Sequence, residues 1–197
     1  MPISGPAWVS KFPTSKSVDD LADGFRQNVE AFVAALKTAG ATISINATRR
    51  PRQRAYLMHF SWRIAKNKIA PADAKKFRPN PGEDDVDIQW VHVKPGGGAD
   101  IAASRTAAKK MVDAYGTGGS TVAQSLVSNH IRGTAIDMSV KWTGTLSIKN
   151  KAGAVVTITS TPRSSVNLDL IKVGRTYGVK HFSPPEADPP HWSLTGG

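Results

Sequence analysis

The chain has 197 residues with 26 Lys and Arg against 15 Asp and Glu, a formal net charge of +11 with histidines neutral. At 40% hydrophobic and 21% charged residues it matches ordinary globular usage, which excludes a disordered or collagen-like chain, and it holds no apolar run of about eighteen residues that would span a membrane. The absence of cysteine excludes disulfides, thiolate metal sites and thiol nucleophiles, so any metal must be held by His, Asp or Glu.

The length suits a single domain over 1–197, with 1–16 an irregular N-terminal arm. The first strong periodicity is helical over 19–39, where Val18, Leu21, Phe25, Val29, Phe32, Val33 and Leu36 recur at three-four spacing. Ser17 is its expected cap and Gly40 its stop. Residues 42–47 alternate apolar and polar as a strand, which ends at Thr48-Arg49-Arg50-Pro51. A second helix is expected over 52–66, then a loop to residue 85 and a strand over 86–93. The triple glycine 96–98 lacks the following Gly-Lys-Ser/Thr of a phosphate loop and reads as a hinge. Asp100 should cap a helix over 101–115. Residues 138–140 read as a buried strand, 144–149 and 154–160 as a hairpin, and 167–177 as a helix closed by Gly178. Helices mixed with hairpin strands, with no internal repeat, imply an α+β fold around a small antiparallel sheet.

The excess charge, with a sequence pI near 10.1, implies attraction to a polyanion such as nucleic acid, an anionic membrane face or an anionic cell wall. The basic residues are dispersed, with no basic tail and no helix-turn-helix or RNA-binding signature, so nucleic acid is not the expected partner. The N-terminus lacks a charged region followed by an apolar stretch, so no signal peptide is expected.

The chemistry concentrates in two turn-and-strand junctions. His130 and Asp137 stand seven residues apart across Gly133, and Ile136 and Met138 place Asp137 on the face of its strand opposite the apolar neighbours. Imidazole and carboxylate both ligate zinc, and a catalytic site takes three protein ligands and one open position for water. His191 in a Pro-bounded turn is the available third ligand, and Asp188, three residues before it, is placed to act as general base. His59 and His92 have no partner at ligand spacing and read as packing residues. His181, ten residues before His191, is a candidate outer partner or substrate contact. Trp192, next to His191, is a candidate for shaping the pocket.

The segment Ser128-x-His130-x-x-Gly133-x-Ala135-x-Asp137 resembles the SxHxxGxAxD motif of the zinc peptidases that include D-alanyl-D-alanine carboxypeptidases, dipeptidases and phage endolysins. Asp188-Pro189-Pro190-His191-Trp192 resembles their second motif, and Arg50-Pro51 their Arg-Pro segment, so the resemblance runs from about residue 41 to 193. The second-motif acid is often glutamate in that family; aspartate here is one methylene shorter, as in endolysin-like members. The resemblance implies a hedgehog/D-Ala-D-Ala peptidase-like fold and a zinc ion on His130, Asp137 and His191. It implies Asp188 as base, Arg50 (with Arg49 the neighbouring alternative) at the polarised carbonyl or substrate carboxylate, and Ser128 bonding substrate or orienting the first ligand. The implied activity is hydrolysis of a stem-peptide amide in bacterial peptidoglycan, either of D-Ala-D-Ala carboxypeptidase or of L-Ala-D-Glu endopeptidase type. The protein would work as a monomer held on the anionic wall by its charge, made in the cytoplasm and acting after release or delivery. The alternative on the same fold is a non-catalytic zinc-containing binding module, as in hedgehog-type signalling domains.

Overall fold

The computed structural model describes residues Met1–Gly197, and its contacts divide the chain into two compact units. One comprises Met1–Pro13 and Pro51–Leu126, the other Thr14–Arg50 and Val127–Gly197. The architecture is α+β with small antiparallel sheets. No helix is long and apolar enough to cross a membrane.

The unit of 14–50 and 127–197 is organised by a four-stranded sheet. Helix α1 spans Asp23–Thr38 and strand β1 Thr42–Ala47. After the chain returns to this unit at residue 127 come α4 (Asn129–Arg132), β4 (Ala135–Lys141), the hairpin β5 (Leu146–Lys149) and β6 (Val155–Ile158), α5 (Leu168–Thr176), β7 (Lys180–His181) and β8 (His191–Ser193). The sheet order is β1-β4-β8-β7, every neighbour antiparallel. Ile136, Met138 and Val140 of β4 and Trp192 of β8 join Phe25, Val29, Phe32 and Leu36 of α1 and Leu170 and Val173 of α5 in one core. Burying each large apolar side chain there contributes about 1.5–3 kcal/mol. Strand alternation turns Asp137 and Ser139 to the other side of the sheet, away from that core.

Helix α1 begins four residues later than its periodicity suggests. Ser17 caps only a 3₁₀ turn, Val18–Asp20, accepting from Asp19 N. The chain then extends because Ala22 N donates to Gly133 O at 2.9 Å, a bond incompatible with a helix running through residue 22. Helix α5 matches expectation closely: fully buried Asn167 caps it, accepting from Asp169 N and Leu170 N.

In the other unit α2 (Arg52–Ala65) packs on α3 (Ile101–Ala114), and Asp100 caps α3 by accepting from Ala103 N at 2.9 Å. The N-terminal arm is ordered by packing: Trp8, 5% exposed, lies in a core with Tyr56, Leu57, Phe60, Ile64 and Met111. The expected strand over 86–93 shrinks to β2, His92–Val93, paired with β3, Ala99–Asp100. Val86, Ile88 and Trp90 do bury alternately, yet only Gln89 finds a bridge, to Ile3, so the alternation reports one buried face and not a ladder. The triple glycine is the hairpin turn between β2 and β3, with Gly97 N donating to Lys94 O.

Candidate metal centre

Three ligand-bearing residues converge in the unit of 14–50 and 127–197. His130 comes from the single turn α4, Asp137 from the middle of β4, and His191 from the first position of β8, where it pairs in register with Asp137. His130 Nε2 and His191 Nδ1 each lie 3.1 Å from Asp137 Oδ1 and 3.3 Å from one another. His130 and His191 are buried and the Asp137 side chain is 22% exposed.

The local sequence explains the convergence. Ser128 Oγ accepts from Ile131 N and so caps α4, which fixes the turn carrying His130. Gly133 ends that turn in the left-handed region at φ 72°, and a Cβ there would meet Ala22 N at 2.9 Å. Only glycine satisfies both the dihedral and the close approach, and the chain then turns directly into β4. His130 Nδ1 lies 2.7 Å from the carbonyl of fully buried Thr48. A carbonyl only accepts, so Nδ1 carries the proton and neutral imidazole presents its Nε2 lone pair to the group.

The donor set fits a metal ion. Two imidazole nitrogens and a carboxylate oxygen form a triangle with edges of 3.1, 3.1 and 3.3 Å. Bonds of 2.0–2.1 Å in tetrahedral geometry require ligand separations of about 3.3 Å. Three acceptor atoms this close repel one another unless a cation or a shared proton lies among them. When the rings carry protons in place of a cation, burial alone raises the Asp137 carboxyl, but hydrogen bonds from His130 and His191 and their positive charge outweigh it and hold the group well below the usual carboxylate range. The buried His130-Asp137-His191 group can therefore hold a metal ion.

Asp188 borders this group. Its Oδ2 is 3.9 Å from His191 Nδ1 and its side chain is 47% exposed. Burial pushes its carboxyl up from the ordinary value, the His191 charge opposing and the Asp137 charge adding to the shift. A carboxylate that is half-open to solvent and next to a ligand is placed to exchange protons with a molecule bound there.

The other sequence candidates fall at varying distances from this chemistry. Arg50 N donates to His130 O at 3.0 Å, so the backbone of the Arg-Pro segment is tied to the first ligand. Arg49 is exposed, and its carbonyl accepts from Ser15 N. Ser128 acts through the α4 cap. Trp192 does not line the site: it is fully buried, its Nε1 donates to Met138 O, and it packs on Phe32 at 5.5 Å, because strand alternation turns it to the face opposite His191. His181 sits behind Trp192, edge to face at 4.5 Å, and does not join the ligand group. Its Nδ1 lies 3.0 Å from Phe182 O and its Nε2 2.8 Å from Pro189 O, so one buried ring spans both ends of the loop that carries Asp188. His59 and His92 bond Gln124 O and Ser4 Oγ in the other unit.

Two contributors were missed from sequence. The Thr48 carbonyl orients His130, and the Phe182 ring stands edge-on to His191 at 5.9 Å. A backbone carbonyl carries no residue-type signal; Phe182, beside a candidate histidine, carried a weak one. Comparison with protein-family models, with curated proteins and with solved structures finds no match.

Proposed function

We propose that this chain is a zinc-dependent peptidoglycan peptidase that hydrolyses a stem-peptide amide bond. The observation that carries the reading is the triangular His130-Asp137-His191 donor group with the Asp188 carboxylate 3.9 Å from one of its nitrogens. Two imidazoles and one carboxylate are a common zinc set, and three protein ligands leave a position for water. The order and spacing of these residues resemble the D-alanyl-D-alanine peptidase family, and the antiparallel sheet with α1 and α5 packed on one face is compatible with the fold of that family.

Bound zinc supplies a water whose pKa falls to about 7 and an electrophile for the substrate carbonyl. The chain's own residues do the rest. His130 and His191 would present ring-nitrogen lone pairs to the ion, that of His130 oriented by the Nδ1 bond to Thr48 O. Asp188 accepts the proton released as water adds to the carbonyl carbon and returns it to the departing amine, so the C–N bond breaks without a covalent intermediate. Arg50, held by its backbone beside His130, offers a guanidinium to the developing negative charge on the substrate oxygen. The substrate class is a wall peptide containing a D-amino acid, met after the protein is released or delivered to the wall.

The test pairs metal content with turnover for the wild type and Asp188→Ala. We expect about one zinc per chain in both and chelator-sensitive products from purified peptidoglycan for the wild type only, with a fall of about 10²–10⁴ for the variant. The product mass names the bond. Zinc without products from walls of several chemotypes would replace the enzyme by a binding module, and no zinc at all would overturn the site.

A further inference from the structure

A groove of about 900 Å³ lies in the unit of 1–13 and 51–126, and no residue of the metal group lines it. Its floor is Tyr56 and Phe60, each 5% exposed, and its wall is Phe77, packed edge-on to Tyr56 at 5.4 Å. Its rim is the exposed run Lys75, Lys76 and Arg78.

This rim is held in place. Tyr56 donates its hydroxyl to Lys75 O at 2.8 Å, and Arg52 bonds Arg78 O at 3.3 Å while lying over the Phe77 ring. The Arg52 charge is already committed to Glu83. None of Lys75, Lys76 and Arg78 forms an ion pair within the protein, so three positive charges over an aromatic floor face outward from a pinned loop. The volume falls within the usual range of ligand sites, about 300–1,000 Å³.

We infer that this groove binds the anionic glycopeptide strand of peptidoglycan, the aromatic floor taking ring and alkyl faces and Lys75, Lys76 and Arg78 taking carboxylates. The choice of occupant rests on the peptidase reading above; the groove's need for an anionic ligand with apolar faces does not. Charge complementarity selects an anionic polymer, the peptidase reading makes it the carboxylate-bearing glycopeptide, and the aromatic floor distinguishes the groove from a merely basic surface. The unit without metal ligands thus acts as the wall-holding half of the chain.

The experiment is cosedimentation of the full chain with sacculi freed of phosphate-bearing polymers by acid extraction, at fixed ionic strength. The variants are Lys75→Glu/Lys76→Glu/Arg78→Glu and, as a control of equal charge change on α3, Arg105→Glu/Lys109→Glu/Lys110→Glu. The groove variant should lose affinity by about tenfold or more, with hydrolysis of a small soluble stem peptide unchanged. The α3 control should stay near wild type. Equal loss in both variants would replace the groove by diffuse charge. Wild-type binding that appears only on sacculi retaining phosphate polymers, or that is outcompeted by duplex DNA, would overturn the glycopeptide. Soluble-peptide hydrolysis with no effect of the groove variant defeats this inference alone, whereas no hydrolysis of any substrate defeats the peptidase reading.

Discussion

His181 shows what a single side chain contributes without touching a ligand. The loop 182–190 contains Asp188 and leads into His191, and one imidazole lies between its ends, its Nδ1 against Phe182 O and its Nε2 against Pro189 O, donating to one of the two carbonyls through its N–H. Replacing it by alanine removes the ring that bridges the loop ends and opens a cavity against Trp192. Groups that hold ligating residues typically change metal affinity 10–100-fold. We therefore expect His181→Ala to weaken zinc binding by about that factor in a competitive chelator titration, and His181→Gln, which keeps one amide contact, to recover part of it. Unchanged zinc affinity in His181→Ala would mean that the Phe182 N to His191 O bond alone holds the loop. Sequence spacing marked His130, Asp137, His191 and Asp188, because ligand chemistry restricts the residue types. It did not mark the division of labour around them. Whether His181 faces the site or its back depends on the register of β7 against β8, two strands of two and three residues.

At the scale of elements, the same strand that presents His191 buries Trp192 against α1 and α5. Gly174 in α5 makes this possible: a Cβ there would stand 2.8 Å from Trp192 Cζ3, 2.9 Å from Val179 O and 3.3 Å from Phe32. Gly174→Ala should cost about 1–3 kcal/mol, the usual penalty of overpacking a filled core, read as a fall in the urea midpoint at constant slope. Because Trp192 and His191 are adjacent on β8, the variant should also bind zinc more weakly. Full stability would show that α5 moves away freely. The elements legible in the sequence are those whose pattern is local. Strand β1 matches its alternation residue for residue, and α2, α3 and α5 begin and end within two residues of expectation. Strands β7 and β8 and the turn α4 were not legible. Each is four residues or fewer and exists through distant partners, as β8 does by pairing with Asp137, 54 residues away.

The whole molecule divides its chain unevenly between chemistry and the remaining surface. All three ligands, Asp188 and the Thr48 carbonyl belong to the unit of 14–50 and 127–197, while Trp8, α2, α3 and the cationic groove belong to the other. No linker composition announces this, because each unit is assembled from two separate segments and the chain crosses between them at Pro13, Arg50 and Leu126. A metal ion held by His130, Asp137 and His191 would cross-link α4, β4 and β8, segments up to 61 residues apart. A ligand that binds only the folded state stabilises it by about 4 kcal/mol at a thousandfold excess over its dissociation constant, and local openings that break the ligand triangle bear that cost first. In hydrogen exchange we therefore expect zinc added to the chelated protein to slow amides of β4, β8 and the 182–190 loop most. Amides of α2 and α3, which contribute no ligand, should change less. Uniform slowing across both units would mean that metal binding is coupled to global folding of the chain. Slowing confined to α2 and α3 would place the metal elsewhere and remove the structural basis for the peptidase.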